Sequence, residues 1–536
     1  MDCTSTRLAY RQTNAFSNII LDYLDHAESL KPFYLHSPDI TGIKAAMEAR
    51  KDFNGDRKVL VQQLRAQYEG MDLSVKLEKN IASLSSADTF TVTTAHQNNI
   101  FTGPLYFIYK IIHAIRLADE LNSSLAPAHF VPVFYIGSED ADLDELNHIT
   151  LDGEKLVWNT KQKGAVGRMK IDEEVVKLID RIESQLAVEP FGKEIVDLVR
   201  KHYHVGADMQ GATFQMVHSL FAEYGLIVLL PDNPAQKKLM LPVFEDDLLH
   251  QAASTIVEQT ANALDKSGYK VQANPREINL FYLQDDIRER IMKQGEGYKV
   301  HGTSLQFTRE EMNRELQVHP ERFSPNVILR GLYQETILPD VAFIGGGGEV
   351  AYWLQLKELF RHYKVPYPVL VLRNSFLVIE SKWQEKMEKL GLGMQDIFLK
   401  ETEIFNRLVA KETDKKLKLN GTLSQAESLY ETIKQQAGSI DVTLERHVEA
   451  LKLKTVHRLE ELEKKMLRAE KRKYGEQQRK IHAIKSQLFP GDGLQERVEN
   501  LMSCYAKWGV DFIHKIYEAS PALEQEFVVL LEKQPA

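Results

Sequence analysis

The chain has 536 residues, which is too long for one ordinary hydrophobic core, so we expect two or three domains. Hydrophobic residues make up 43% and charged residues 27%, a balance typical of a globular protein rather than a disordered one. The net charge of −9 argues against general binding of nucleic acid by the protein surface, so no nucleic-acid partner is expected.

Only two cysteines occur, Cys3 and Cys504, near opposite ends of the chain. This count excludes a disulfide framework and a cysteine-rich zinc site, and it is consistent with a reducing cytosol. The N-terminus lacks a basic segment followed by an apolar one, and polar residues interrupt every apolar run well before membrane-spanning length. We therefore expect a soluble cytoplasmic protein that has no membrane partner.

Residues 1–85 are predicted to be mostly helical and irregular, and a βαβ unit follows them. Its first strand covers Phe90 to Thr93, its helix Leu105 to Asn122, and its second strand begins at Phe130. Both strands break into polar residues where they end. Ligands of open α/β sheets bind outside the carboxyl ends of strands, so these two polar segments are the first candidates for a site.

The polar segment after the first strand contains an imidazole and two amides, His96, Gln97 and Asn98. The amides can orient a carboxylate or phosphate, and His96 can move a proton near neutral pH. Thr102 and Gly103, just before Pro104, form a helix entry whose backbone amides suit an anion. The structural alternative is a polar turn whose side chains only hold the backbone.

The polar segment after the second strand is strongly acidic. Five carboxylates lie within seven residues, so the segment needs a metal, an amine substrate or nearby lysines. Asp140, Asp142 or Glu139 would bind an ammonium group or a metal. Of the residues that follow, His148 would move a proton and Asn147 would orient the substrate. Asp144 and Glu145 complete the acidic group. The calcium-loop spacing is incomplete, because its glycine and terminal glutamate are missing. A solvated acidic loop is the structural alternative.

Further apolar runs continue the α/β pattern as strands of a sheet covered on both faces. They are residues 225–230, 326–330, 341–344 and 369–372. Two insertions interrupt the core, a mostly helical one at about 150–220 and an irregular one at 271–310. The second contains Gly295-Glu296-Gly297-Tyr298, which is typical of a turn or hairpin.

Four consecutive glycines follow the strand at 341–344 and precede a helix predicted over Val350 to Tyr363. Glycine backbone can approach a ligand closely, and a helix start favours negative charge. Neither a Walker loop nor the dinucleotide fingerprint is present. We expect this turn and the following side chains to line the cleft, although a flexible turn and core aromatics are equally consistent: Gly345, Gly346, Gly347, Gly348, Glu349, Tyr352 and Trp353.

After about Glu380 glycine and proline become scarce and charged residues dense. A mostly apolar stripe with heptad spacing begins at Val448, and Leu423 to Gln436 is predicted to be the antiparallel arm before a turn at Gly438-Ser439. We predict a Rossmann-like core at 1–384, a helical coiled coil at 385–488, and a C-terminal helical segment at 489–536 that packs back on the core. Proline and glycine at 489–493 end the coiled coil.

Several of these segments together resemble the bacillithiol-synthesis cysteine-adding enzymes, the BshC family. The resemblance lies in four segments and recurs in order from about residue 90 to the C-terminus: Gln97 to Lys110, Glu139 to His148, Gly345 to Trp353, and Leu488 to Arg497. The chain departs from the family at two places. The family usually has Thr-Gly-Gln-Gln where this chain has Thr94-Ala95-His96-Gln97, and commonly a histidine where Ala141 stands.

The resemblance implies a Rossmann-like α/β core related to class I aminoacyl-tRNA synthetases and a C-terminal coiled coil that pairs two subunits. It also implies a ligase that joins L-cysteine to glucosaminyl-malate and gives bacillithiol. Activation of the cysteine carboxyl would use a nucleotide, ATP or ADP, and a metal requirement is left open. The alternative is a dimeric scaffold or regulatory protein whose degenerate core binds a nucleotide.

Overall fold

The computed structural model describes residues 1–53, 55–412 and 419–533, with side chains in all but a few positions. Within these residues the chain forms two compact units. The first contains Met1–Ile379 and the chain from Gly493 onward, and the second contains Glu380–Asp492. Residues 54, 413–418 and 534–536, which belong to the predicted core, coiled coil and C-terminal segment, lie outside the described residues.

The strands of the described chain all belong to the first unit. They are β1 (Cys3–Ala9), β2 (Thr89–Gln97), β3 (His129–Gly137), β4 (His148–Leu151), β5 (Glu154–Val157), β6 (Ile227–Leu229), β7 (Leu280–Gln284), β8 (Ile287–Gln294), β9 (Gly297–Val300), β10 (Gln306–Phe307), β11 (Phe323–Pro325), β12 (Asp340–Gly345), β13 (Val369–Leu372), β14 (Phe376–Ile379) and β15 (Glu526–Glu532).

The helices are distributed over both units. Those of the first unit are α1 (Asn18–Leu24), α2 (Ile40–Lys51), α3 (Arg57–Gln67), α4 (Val75–Ser83), α5 (Tyr106–Ser124), α6 (Leu143–Leu146), α7 (Glu173–Leu186), α8 (Gly192–His202), α9 (Met209–Phe221), α10 (Pro234–Lys237), α11 (Leu241–Leu249), α12 (Ala252–Lys266), α13 (Arg309–Val318), α14 (Val327–Ile337), α15 (Gly347–Trp353) and α16 (Lys357–Tyr363), and later α22 (Leu501–Trp508) and α23 (Val510–Ala519). Those of the second are α17 (Ser381–Lys389), α18 (Glu401–Glu412), α19 (Asn420–Ile440), α20 (Thr443–Lys471) and α21 (Gly475–Leu488).

The central sheet is parallel and has the strand order β13-β12-β2-β3-β6. Counted from β6, its strands follow the doubly wound order 3-2-1-4-5, which reverses between β2 and β12. The strands are apolar because helices cover both faces; α5 and α2 pack against Phe90, Val92 and Val341 in a fully buried cluster. The predicted Rossmann-like parallel core is confirmed, and its reversal point lies at the ends of β2 and β12.

Three smaller sheets complete the first unit. β1 pairs with β15, which also pairs with β14, so the two ends of the chain meet in one sheet. β4 and β5 form a hairpin that precedes the mostly helical first insertion. The second insertion contains most of an antiparallel sheet of order β10-β9-β8-β7-β11, rather than the irregular chain expected for 271–310. The turn expected at Gly295 connects β8 to β9.

Two local predictions from sequence were wrong. Residues 326–330 were predicted as a strand, but Asn326 caps the start of α14 by accepting hydrogen bonds from the backbone N–H groups of Ile328 and Leu329. A single helix predicted over 350–363 is instead α15 and α16, which a short irregular segment separates. The first error involves a short apolar run, whose periodicity does not distinguish a helix from a strand.

The second unit contains an antiparallel helical hairpin of α19 and α20, joined at Asp441 and Val442. The Tyr430 hydroxyl and the Thr455 hydroxyl lie 2.8 Å apart across it, and Lys434 pairs with Glu449 at 2.9 Å. The predicted turn at Gly438-Ser439 therefore lies in the last turn of α19. α21 ends at Leu488, where the predicted Pro-Gly segment begins.

Candidate functional site

A cleft of about 860 Å³ lies at the carboxyl ends of β2, β3 and β12, next to the point where the strand order reverses. Its volume is within the range of small-molecule sites. Both polar segments after the first two strands, and the glycine turn, contribute to its lining. The predicted site residues that line it are His96, Gln97, Glu139, Asp140, Gly346, Gly347, Gly348, Glu349 and Tyr352.

His96 lies at the end of β2 between two aromatic rings, with ring centroids 5.2 Å from Tyr106 and 5.4 Å from Phe107. Burial, and then the positive charges of Lys110, Arg373 and Arg330, hold the pKa of His96 well below its ordinary value. These surroundings favour the neutral ring, which is suited to hydrogen bonding. The proton-transfer role of His96 stays a prediction.

The acidic end of β3 is organised by neighbouring side chains. The Gln97 amide donates to Asp140 Oδ2 at 2.6 Å, and the Asp142 backbone N–H donates to Asp140 Oδ1 at 3.2 Å. Arg288 of the second insertion places its Nη1 4.0 Å from the same Oδ1. Asp140 thus joins the core to the insertion across the cleft and keeps lone pairs on both oxygens.

One backbone amide of the glycine turn is already occupied, in contrast to the expectation from the sequence. The backbone N–H of Gly346 donates to Glu349 Oε2 at 2.8 Å, so the chain's own carboxylate occupies the start of α15. Lys110, which is fully buried, contacts the same carboxylate and donates to the Ala95 carbonyl at 2.9 Å. Burial lowers the pKa of Lys110 even though Glu349 acts in the opposite direction.

Three residues predicted from the acidic segment do not line the cleft. Asp142 is exposed and precedes α6. Asn147 and His148 follow that short helix, and their side chains contact each other, with His148 Nδ1 3.2 Å from Asn147 Oδ1. Glu145 of α6 still lines the cleft, but the residues that follow this helix do not. The catalytic roles predicted for Asp142 and His148 are therefore not supported by their positions.

Five further predicted residues are buried away from the cleft surface. Asn98, Thr102 and Gly103 lie in the connection to α5, where Asn500 donates to the Gly103 carbonyl at 2.5 Å. Gly103 has φ 61°, and a Cβ there would lie 2.7 Å from Asn99 Cβ, so its glycine serves the turn. Gly345 ends β12, and Trp353 packs on Phe343 at 4.4 Å in the core.

Sequence reasoning missed most of the cationic residues of the cleft. The lining includes residues from the second insertion, α14, the segment after β13 and the C-terminal chain: Arg276, Arg288, Arg330, Arg373 and Arg497. Ser138 also lines it, next to Glu139. The sequence assigns none of these arginines to a site, and only the fold brings them to one cleft.

The cleft arginines differ in how their charges are balanced. Arg373 Nη2 donates to Glu496 at 2.7 Å in a buried pair. Among the described residues, Arg276, Arg330 and Arg497 have no carboxylate within ion-pair distance. Arg276 and Arg497 are exposed at the rim, whereas Arg330 is half-buried and contacts only the Tyr352 hydroxyl and the Tyr135 ring. The cleft therefore has positive charge available for an anionic ligand.

The described residues contain no group of three or more His, Cys, Asp or Glu side chains placed to hold a metal ion. They also contain no helix long and apolar enough to cross a membrane. Neither Cys3 nor Cys504 forms a disulfide, and neither lines the cleft. The polar side chains that line the cleft include carboxylates, guanidiniums, Lys110 and His96.

Two family models match nearly the whole chain: bacillithiol biosynthesis BshC, N-terminal Rossmann-like domain, over residues 1–374, and bacillithiol biosynthesis BshC, C-terminal coiled-coil domain, over residues 376–532. Proteins named "Putative cysteine ligase BshC" are similar throughout. The one from Flavobacterium psychrophilum is 37% identical over 99% of both chains, that from Cytophaga hutchinsonii 37% over 96% of both, and that from Salinibacter ruber 31% over 91% of both. The chain belongs to the bacillithiol-biosynthesis BshC family.

Proposed function

We propose that the protein joins the carboxyl group of L-cysteine to the amine of glucosaminyl-malate, the last step of bacillithiol formation. The observation that carries this proposal is one cleft that combines unpaired guanidiniums with ordered carboxylates. Glucosaminyl-malate brings two carboxylates and an amine, and cysteine brings a carboxylate and an ammonium. Both kinds of charge on the substrates thus have complementary side chains in the cleft.

The anionic groups are assigned to the unpaired arginines. Arg330 lies deepest and suits a carboxylate that must be held rigidly, because a half-buried guanidinium interacts more strongly than an exposed one. Arg276 and Arg497 lie at the rim and suit a mobile or multiply charged group. A nucleotide, which we propose is ATP, would supply the activation of the cysteine carboxyl.

Asp140 is the proposed acceptor for the proton that the attacking amine loses. Its position is fixed by Gln97 at 2.6 Å, and it keeps a lone pair on each oxygen. His96 stays neutral and serves as a hydrogen-bonding group for the polar part of the substrate. In amide formation the new C–N bond replaces the bond from the activated carbonyl to its leaving group, and the amine proton passes to Asp140.

The direct test is to incubate the full-length protein with cysteine, glucosaminyl-malate and ATP and to measure bacillithiol by mass spectrometry. We expect product and a matching amount of cleaved nucleotide. Omission of ATP should abolish both. Absence of product with every nucleotide and metal tried would reject the proposal.

Asp140→Ala should lower kcat by about 100-fold or more, the usual contribution of a general base. Asp144→Ala is the matched control, because Asp144 is an exposed carboxylate of the same segment that does not line the cleft. Equal activity of the two variants would remove Asp140 from the mechanism. A scaffold protein, the alternative function, would give no product and would leave cellular bacillithiol unchanged when its gene is deleted.

Pairing of two subunits through the helical hairpin is part of this proposal. Large apolar side chains on both helices are exposed in the single chain, among them Leu429 at 58% and Leu453 at 63%. An exposed apolar surface of this kind is typical of an interface. Sedimentation should show a dimer for the wild type and a monomer for Leu429→Glu with Leu453→Glu; a dimeric double variant would place the interface elsewhere.

We also place the protein in the cytosol, where cysteine is reduced.

A further inference from the structure

Glu139 is the most enclosed of the carboxylates that directly follow β3. Its side chain is 11% exposed, against 31% for Asp140. Its Oε1 is buried against the Lys237 ammonium, whereas its Oε2 takes part in no hydrogen bond among the described residues. A carboxylate oxygen that lines a cleft without a hydrogen-bond donor is a place where a ligand donor is expected.

The other cleft carboxylates are engaged or exposed. Glu349 accepts from the Gly346 N–H and contacts Lys110. Asp140 accepts from Gln97 and from the Asp142 backbone. Glu145 is exposed, so water screens its charge. Glu139 is therefore the cleft carboxylate that combines low exposure with an unused acceptor.

Ser138 lies beside Glu139 and shares this property. It is 1% exposed, it lines the cleft, and its hydroxyl has no hydrogen-bond partner among the described residues. Its position is fixed by the backbone, since Gly167 N–H donates to the Ser138 carbonyl at 2.9 Å. The second carboxylate oxygen of Glu139 and the Ser138 hydroxyl together suit a cation with several N–H donors, such as a primary ammonium group.

Lys237 holds Glu139 from the side away from solvent. It is completely buried on α10, and its Nζ contacts Glu139 Oε1, donates to the Glu321 carbonyl at 3.0 Å and lies 3.7 Å from Asp232 Oδ1. Asp232 is in turn held by Arg168, with Nε–Oδ2 at 2.6 Å and Nη2–Oδ1 at 2.8 Å. These four charges sum to zero, so the network is electrically balanced without a ligand.

We propose that Glu139 and Ser138 form the subsite for the α-ammonium of cysteine, and that Lys237 is the positioning residue for Glu139. This inference rests on the proposed function, because it assigns one substrate group within the same cleft. Cysteine carries an α-ammonium that takes no part in the reaction of its carboxyl, whereas the amine of glucosaminyl-malate must react as the free base. The enclosed carboxylate therefore recognises cysteine rather than the attacking amine.

The test compares two ligands that differ only in the ammonium group, cysteine and 3-mercaptopropionate. Calorimetry on the full-length protein should show that cysteine binds about 30-fold or more tightly, the usual range for one buried charge contact. Glu139→Gln should remove most of this difference by weakening cysteine binding, and 3-mercaptopropionate should bind within about threefold of wild type. Ser138→Ala should reduce the difference by about five- to tenfold.

Lys237→Met should weaken the binding of cysteine but not that of 3-mercaptopropionate. Lys237→Arg should recover part of the lost cysteine affinity. Lys237→Met leaves the Glu139 carboxylate buried without its cation. The double variant Glu139→Gln with Lys237→Met removes this unpaired carboxylate and provides a second test. It should bind cysteine as weakly as Glu139→Gln alone, because the two residues act as one unit. Lys238→Met, at the exposed neighbouring position, is the matched control and should leave both affinities unchanged.

Three results would overturn the inference: a wild-type protein that binds both ligands equally, a Glu139→Gln protein that weakens both ligands equally, or a Glu145→Gln protein that alone loses the preference for cysteine. The first would mean that no ammonium subsite exists, the second that Glu139 is structural, and the third that Glu145 holds the ammonium. Binding is measured without turnover. An intact preference for cysteine together with absent bacillithiol formation would thus reject the proposed function alone.

Discussion

Two groups of buried charged residues in the first unit differ in how completely they are paired. At the amino end of β12, the Arg50 guanidinium contacts Glu335 and donates to the carbonyls of Asp340 and Glu335, both at 2.7 Å. It also donates to the Pro366 carbonyl at 3.3 Å. At the carboxyl ends of the strands, Arg330 has no carboxylate partner among the described residues.

The difference separates structural charges from charges that await a ligand. Arg50 uses its guanidinium nitrogens on protein acceptors and is 4% exposed, so no external group has access to it. Arg330 is half-buried beside the cleft and contacts a hydroxyl and an aromatic ring. Desolvating a guanidinium without a counter-charge costs stability, and a substrate anion would offset that cost.

The largest expected effect comes from breaking the paired group. Arg50→Met should lower the free energy of unfolding by about 3 to 5 kcal/mol, because it leaves Glu335 buried without its cation. Urea denaturation measures the loss. Ligase activity per folded molecule should stay at the wild-type level, and a specific loss of activity would mean that the two groups are not independent.

Arg330→Met tests the unpaired group and should give the opposite result. We expect kcat/KM to fall by about 100-fold, which corresponds to about 2.7 kcal/mol of transition-state stabilisation. The free energy of unfolding should change by less than about 1 kcal/mol, because no carboxylate loses a partner. Steady-state kinetics and urea denaturation on the same preparation measure both quantities. A large loss of stability would mean that Arg330, like Arg50, is a structural charge.

Glu499 is a third buried charged group, and its charge can be changed by pH. Burial and then the charge of Asp152 raise the pKa of Glu499 to about 7. The folded protein therefore binds the proton more tightly than the unfolded chain. Its contribution to stability is complete below about pH 4.5 and is lost as the pH rises through about 7. Relative to Glu499→Gln, the wild type should lose about 2 to 3 kcal/mol between pH 5 and pH 8.

Urea denaturation at a series of pH values measures this difference for Glu499. Glu277→Gln is the control, because Glu277 is an exposed carboxylate and its replacement should leave the pH dependence unchanged. A difference between wild type and Glu499→Gln that stays constant from pH 5 to pH 8 would show that Glu499 is ionised in the folded protein throughout.

Much of the fold and part of the site could be predicted from the sequence. The strand ends at His96 and Glu139 were expected to be neighbours because consecutive parallel strands of a βαβ unit place their carboxyl ends together. The glycine turn after β12 was expected there for the same reason. Prediction was weaker within each segment, since local sequence does not show that Asn147 and His148, which follow α6, lie outside the cleft.

The missing part of the site consists of residues whose positions depend on tertiary structure. Arg276, Arg330 and Arg497 come from three separate segments. Only Arg497 lies in a segment that resembles the family, and that resemblance did not assign it to the cleft. Lys237 lies in a four-residue helix and would be expected at the surface from its residue type, yet it is fully buried behind Glu139. Glu349 was expected beside free glycine amides, but its own carboxylate accepts one of them.

The central claim is that unpaired positive charge in the cleft marks the binding site of an anionic substrate. Calorimetric titration of glucosaminyl-malate into the wild-type protein and into Arg330→Met tests it most directly. The claim predicts measurable binding to the wild type and an affinity at least about 30-fold lower for the variant. Equal affinity of the two proteins for glucosaminyl-malate would contradict it.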